Sequence, residues 1–407
     1  MANGECLVIS FTASKEIRKW CDRSKDLFSD LGIGFKLQCA LYGYFLFGAN
    51  SLSDFSRLCP WSYSVSSLSR GVAKFNPNRF MRRLRASVLK KYPNMNPRDF
   101  CYAIDDTSNP RYGKTIFRSG RFGGSGGVYN GQKILVIVLV NIKEGFALPL
   151  AYSFIASKKS DPENYRPGHE LAIDLFSDIL DSGFPQLPVT ADSWFDSYEF
   201  MLNLQSIGLN YCGEIKSNRK VMGMSYRIWK SLKSFFKNKN RKKTNKKKFY
   251  SEELLEIRKF IHPIKCIAVF NHRSDKKAFA YYVSTDPTMA GATLWKLSRA
   301  RWKIECLFRD MKQNLSFGQL PCSGPGGSDL SVCLPMILIT SLRLNSETCK
   351  QGHLSTIGAQ VKMIREASLT KSIDFIAAKP NDELVVKFSN RRRSVNRKPT
   401  NKAAEAA

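Results

Sequence analysis

The spacing of apolar positions divides the chain into stretches of different period. Residues 1 to about 98 read as helical. In "SLSDFSRLCPWSYSVSSLSRGVAKF" (51–75) a short helix is expected, then a turn at Cys59-Pro60-Trp61, then a second helix starting near Ser64. That helix would carry Ser67, Arg70 and Lys74 on one side and Val65, Leu68 and Val72 on the other. The pattern suits a helix-turn-helix, and equally a plain helical hairpin. The basic stretch "RFMRRLRASVLKKY" (79–92) follows at once.

From about residue 99 the period shortens. "FCYAIDDTS" is an apolar run ending in two carboxylates. "QKILVIVLVNI" (132–142) and "FALPLAYSFIA" (146–156) are β-branched and apolar runs, joined by a turn at "KEG". "HELAIDLFSDILDSG" (169–183) has helical spacing and closes on Gly183. "LPVTADSWF" reads as a strand ending in an acid, "SYEFMLNLQSIGL" as a helix and "NYCGEIKS" as a strand. Strands alternating with helices imply an α/β sheet. Residues 217–290 break the rhythm. The lysine run "KNKNRKKTNKKK" (237–248) reads as a loop, and "PIKCIAVFNH" and "KAFAYYVSTD" as a hairpin, so this span is expected to be a β-rich insertion. The glycine-rich "GRFGGSGGVYNG" (120–131) lacks the GxxxxGK[ST] pattern and precedes a strand, so it is expected to be a flexible loop beside the active site, not a nucleotide cradle. After about residue 350 the chain turns polar and ends in a basic segment expected to be disordered.

Composition sharpens this picture. The chain has 407 residues, 43% hydrophobic and 12% aromatic, enough for two or three domains with buried cores. Its formal net charge is +30, which a polyanion such as nucleic acid would neutralise. Eleven cysteines without a Cys-x-x-Cys pair point to reduced thiols, and His169, His262, His272 and His353 have no metal-binding spacing. No signal-peptide pattern opens the chain. The longest apolar stretch, Val332 to Thr340, is too short to span a bilayer and contains Pro335. A soluble cytoplasmic protein, with no membrane partner, is the expectation.

The carboxylates supply candidate chemistry. Cutting a phosphodiester is helped by two Mg²⁺ ions roughly 4 Å apart, and a few carboxylates from separate elements suffice to hold them. Asp105 and Asp106 end the strand "CYAI", and Asp192 ends "PVTA". Alternate strand residues share a face, so Asp105 and Asp106 point oppositely and one of them serves the metal. A cap or turn role for each Asp is the plainer alternative, with Thr107 and Ser193 nearby. A third acid lies in "RARWKIECLFRDMKQN" (299–314). On a helix, Arg301, Glu305 and Lys312 fall within about 40° of one another, beside an apolar face of Ile304, Leu307 and Met311. Ordinary salt bridges to Arg301 and Arg309 would explain Glu305; so would a metal held against a phosphate that Arg301 and Lys312 grip.

These motifs resemble those of the DDE transposases of IS4-like insertion sequences, over roughly residues 50 to 345. "AIDDT" is similar to the family's first motif and points to Asp105, with Asp106 as fallback. "VTADSWFDS" is similar to the second and points to Asp192. "RWKIECLFRDMK" is similar to Tyr-x2-Arg-x3-Glu-x6-Lys through Arg301, Glu305 and Lys312; Ser298 stands at the tyrosine position, where Trp302 or Tyr282 could substitute. The resemblance implies an α/β fold with a ribonuclease H-like catalytic core, an N-terminal helical DNA-binding domain (1–98), core segments at 99–216 and 291–346, the β-rich insertion at 217–290 and a C-terminal region at 347–407. It implies Asp105, Asp192 and Glu305 as catalytic metal ligands for two Mg²⁺ ions, with Mn²⁺ as a substitute. It implies cleavage at element ends followed by attack of the freed 3′-OH on target DNA. Double-stranded DNA would meet Arg301, Lys312, Ser298, Trp302, Arg70 and Lys74, the insertion residue Trp229, and Lys242, Lys243, Lys246 and Lys247 of the lysine run. A homodimer joining two ends, in a prokaryotic host, completes the expectation. Competing readings are a nuclease or resolvase that cuts without joining, a decayed or domesticated DNA-binding relative, and a basic RNA-binding protein.

Overall fold

The computed structural model describes residues 51–53, 64–113, 115–124, 127–224, 226–243, 248–258, 260, 262–320, 322–344, 356–363 and 365–366. The described residues divide into two compact units, one made of those within 85–114 and 118–309, the other of those within 51–84, 115–117 and 310–366. The turn at 59–61, Lys246, Lys247 and the basic tail lie outside the described residues.

Helix α1 (Val65–Ala73) is capped by Ser64, whose Oγ accepts the Ser67 N–H at 3.1 Å. Leu68 and Val72 are buried, and Arg70 and Lys74 are exposed as expected. Val65 is not part of the buried face; it is 41% exposed, because the first turn lies outside the packed stripe. Helix α2 (Pro77–Lys91) buries Phe80, Leu84 and Val88.

Strand β1 (Phe100–Pro110) overturns one expectation: it does not end at the carboxylates but runs on through them. Asp105 and Asp106 stay in the ladder because strand β3 offers partners along the whole length, with Asp105 opposite Val136 and Asp106 opposite Leu135. The glycine-rich stretch is likewise a hairpin and not a loop. Strand β2 (Gly120–Gly124) pairs antiparallel with the start of β3 (Gly127–Asn141). The long run Ile134–Val140 is wholly buried, which stabilises the fold by about 1.5–3 kcal/mol for each large side chain. Strand β4 (Phe146–Ile155) returns along the other edge of β3 through the turn at Gly145, whose φ of 77° suits glycine.

Helix α3 (Gly168–Asp181) packs on β3 and β4, with Phe176 against Tyr102. Strand β5 (Val189–Thr190) joins β1 in parallel, helix α4 (Tyr198–Ser206) follows, and Tyr211 bridges in parallel to Val189. The order β4-β3-β1-β5, three antiparallel strands followed by parallel additions, is the mixed α/β arrangement expected of a ribonuclease H-like core.

Strand β6 (Cys212–Glu214) opens a second sheet. It continues with β7 (Lys220–Gly223), β8 (Tyr226–Ser231), the short helix α5 (Leu232–Phe235), β9 (Lys242–Lys243), β10 (Phe249–Ile257), β11 (Ile264–Phe270) and β12 (Ala280–Ser284). The order is β6-β12-β11-β10-β7-β8, and β11 with β12 is the hairpin read from the sequence. Lys242 and Lys243 are not in a loop, since they pair with Tyr250 and Phe249. Helix α6 (Gly291–Ala300) packs on both sheets, and helix α7 (Trp302–Asn314) follows after a break at Arg301.

In the other unit, helix α8 (Pro325–Leu344) joins the expected nine-residue apolar stretch to its flanks. At 20 residues it is long and apolar enough, by length and composition alone, to cross a membrane, yet most of it is buried inside the protein and packs against α1.

Candidate active site

Pleating and register bring the candidate acids together. β1 and β5 pair in parallel at Ala103–Thr190, and Asp105 and Asp192 each lie two residues further along, so both carboxylates lie just beyond the paired stretch of the two strands. Asp105 faces Arg301, whose Nη1 is 3.3 Å from its Oδ2. Asp106 faces the other way and pairs with Lys133 at 2.9 Å. Arg301 Nη2 also reaches Glu305 Oε1 at 2.6 Å across one turn of helix. One guanidinium therefore joins Asp105 to Glu305, beside the turn that carries Asp192.

The electrostatics follow from this crowding. Burial pushes the Asp105 carboxyl up to about 7, and the charge of Asp192 adds to the rise; Arg301 and the Asp106 N–H, 2.8 Å from Oδ1, pull it back. Glu214 is raised too, first by burial and then by Asp192 and Asp196, with Arg301 opposing. An acid set short of positive charge, built only of hard oxygen donors, suits a divalent cation of the Mg²⁺ type. In this conformation no three His, Cys, Asp or Glu side chains among the described residues stand close enough to share one ion, and Arg301 lies between two of the acids.

Asp192 does both things foreseen for it. It lies two residues past the end of β5, and its side chain accepts the Trp194 N–H at 2.9 Å, capping the single turn Ser193–Phe195. Behind it, the buried Tyr211 hydroxyl lies 3.3 Å from the Asp192 carbonyl and 3.0 Å from that of Glu214. Gly213 permits this approach: a Cβ there would lie 2.4 Å from the Tyr211 ring and 2.7 Å from the Ala191 carbonyl. Gly213→Ala should therefore lower stability by about 1–3 kcal/mol, readable as a fall in the denaturant midpoint. An unchanged midpoint would mean that Tyr211 can move aside.

Other candidate residues divide. Ser298 is 7% exposed, donates its hydroxyl to the Leu294 carbonyl at 2.8 Å within helix α6, and lines the same groove as Trp302. Trp302 is 57% exposed. With Tyr282 and Trp295 it lines a groove of about 900 Å³ that also carries Lys243, Lys296, Arg299, Arg301 and Lys303. Trp229 is exposed on β8. Lys242 is engaged by Glu252. Lys312 stands two turns beyond Glu305 on α7, half-buried, and burial lowers its pKa. The sequence reading missed Lys133, Tyr211, Glu214, Asp196 and Arg219. Only Asp196, one helical turn after Asp192 in "DSWFD", carried a local signal.

No curated protein matches the sequence. A cryo-EM structure of the piggyBac transposase synaptic complex with hairpin DNA is similar with a TM-score of 0.46 and 12% identity, over 98% of this chain and 87% of that one. The family described as transposase DDE domain matches residues 102–334, more than half of the chain, a span that holds Asp105, Asp192, Glu305 and both sheets. On that match the chain belongs to the DDE transposase family.

Proposed function

We propose that this chain is the transposase of an IS4-like insertion sequence, cutting the element's ends and joining the freed 3′-OH to target DNA. The single observation that carries the reading is the convergence of Asp105 and Asp192 just beyond the stretch where β1 and β5 pair, with Glu305 tied to Asp105 through Arg301. Enzymes of this family use divalent metal ions. Asp105, Asp192 and Glu305 would hold Mg²⁺, with Mn²⁺ as substitute, and bound there the metal would activate the attacking oxygen and stabilise the leaving one.

The chain's own residues do the rest. Asp105 and Asp192 are fixed by strand register and by the turn that Asp192 caps. Glu305 is fixed by α7, whose Ile304, Leu307 and Met311 are buried. The cationic groove supplies charge and stacking faces for a DNA strand, with the exposed Trp302 in its lining. Arg301 and Lys312 on or beside α7, Arg70 and Lys74 on α1, and Lys242, Lys243 and Trp229 in the second sheet are the proposed DNA contacts, together with Lys246 and Lys247. The proposed organisation is an N-terminal DNA-binding domain (1–98), a split core and a β-rich insertion (217–290), working as a homodimer on double-stranded DNA in a prokaryotic cytoplasm. The deciding experiment places the DNA that flanks the gene around a selectable marker and supplies the protein in trans. Excision with wild type and none with Glu305→Gln supports the reading. Equal binding of the flanking DNA with excision by neither protein would make this a DNA-binding relative without catalysis.

A further inference from the structure

Asp196 lies four residues beyond Asp192 and is 3% exposed. A carboxylate buried that deeply is strongly unfavourable unless charge and hydrogen bonds surround it. Here they do. Arg219 Nη2 reaches its Oδ1 at 2.7 Å, Arg219 Nε reaches Oδ2 at 3.3 Å, and the Lys216 N–H donates to Oδ2 at 3.0 Å. The same Arg219 Nη2 lies 2.7 Å from the backbone carbonyl of Asp196. The guanidinium thus grips main chain and side chain of one residue, which fixes backbone as well as rotamer.

The position of this grip gives it meaning. Asp196 closes the single turn Ser193–Phe195, and Asp192 opens it, accepting the Trp194 N–H with its carboxylate and the Phe195 N–H, at 3.1 Å, with its carbonyl. Arg219 belongs to the segment between β6 and β7, the first two strands of the second sheet in chain order; its carbonyl accepts the Leu232 N–H and its N–H donates to the Lys216 carbonyl. The preceding strand is tied to the same turn by the Glu214 N–H donating to the Ala191 carbonyl at 3.1 Å. The Asp192 turn is therefore held from behind by the root of the second sheet.

We propose that Asp196 and Arg219 are a positioning pair: they touch neither substrate nor metal, and they set the direction of the Asp192 carboxylate by locking the far end of its turn to the start of the insertion. This rests on the proposed role of Asp192 in holding the metal. Outer partners that orient metal-binding carboxylates alter metal affinity about 10- to 100-fold when removed. A pair that served only folding would lower the melting temperature and leave the affinity of the folded protein alone.

The test is Mn²⁺ binding to the full chain, with flanking duplex DNA present, followed by the electron paramagnetic resonance of free Mn²⁺. Asp196→Asn and Arg219→Gln should each weaken binding about tenfold. The double variant should be no weaker than either single, because both remove one interaction. Arg219→Lys keeps the charge and loses the fork; it is the variant best able to fold, and it should fall between wild type and Arg219→Gln. Asp161→Asn, which breaks the separate Arg118–Asp161 pair, should bind as wild type does. Folded variants with wild-type affinity, or single effects that simply add, would overturn the positioning role while Asp192→Asn still abolishes binding. Wild type that takes up no Mn²⁺ would overturn the catalytic reading and this pair's role with it.

Discussion

Asp105→Asn is expected to lower single-turnover cleavage of an end-containing duplex by about 10³-fold or more, while Asp106→Asn keeps it within about tenfold of wild type. The two residues are neighbours, and the pleat sends them to opposite faces of β1. Asp105, like Asp192, lies just beyond the stretch where β1 and β5 pair, and it meets Arg301. Asp106 is spoken for by Lys133 at 2.9 Å, and Lys133 in turn lies 5.1 Å from the centre of the Trp194 ring. Asparagine at 105 keeps the shape and loses the charge, so a loss of rate with intact DNA binding isolates the carboxylate's contribution. At 106 the same change weakens a contact that is not directed at the other acids. The opposite ranking, cleavage surviving Asp105→Asn and lost in Asp106→Asn, would assign the metal face of β1 to Asp106 and break the proposed trio.

That contrast also shows what the amino-acid sequence can and cannot carry. Alternation along a strand is local, so the opposed directions of Asp105 and Asp106 are legible from the sequence alone. The end of the strand is not. Two adjacent aspartates look like a terminus because Asp is a poor strand residue, but the ladder is decided by the partner, and β3 runs beside β1 as far as Gly131 opposite Pro110. The glycine-rich stretch misleads for the same reason: glycine weakens a strand without forbidding it, and Phe122 stacks on Tyr129 across the hairpin. Helical period places Ile304, Leu307 and Met311 correctly on a buried face. It also puts Arg301 beside Glu305, but nothing in the spacing shows that the guanidinium turns to Asp105, 196 residues earlier. Asp196 with Arg219, and Tyr211 under Asp192, are contacts across the fold whose members look ordinary in sequence. Ser298 stands where the resembled motif has a tyrosine, and its hydroxyl bonds the Leu294 carbonyl of its own helix, a contact that the spacing does not show.

Arg301→Gln should destabilise the metal-free protein in a pH-dependent way, and a divalent ion should restore more stability to this variant than to wild type. Arg301 is 20% exposed; burial works against its charge, but Glu305, Asp105 and Asp192 outweigh burial and hold its pKa above the usual value. Breaking a fully buried pair costs about 3–5 kcal/mol, so the partly wet site here should lose less, roughly 2 kcal/mol at alkaline pH. The direction with pH follows from Asp105. Its folded pKa of about 7 lies above its unfolded value, so the folded state binds a proton that the unfolded state releases. Stability from that proton is fully present below about pH 4 and is lost as pH rises through 7. Removing Arg301 takes away the cation that lowers the Asp105 pKa, which extends the loss to higher pH and deepens the penalty for ionising Asp105. The difference in melting temperature between wild type and Arg301→Gln should therefore be small at pH 5 and large at pH 8, measured in chelator-treated protein. Adding Mg²⁺ at pH 8 should narrow the gap, because bound metal replaces the missing positive charge. A gap independent of both pH and Mg²⁺ would mean that Arg301 acts through packing alone, and that Asp105, Asp192 and Glu305 do not share one electrostatic site.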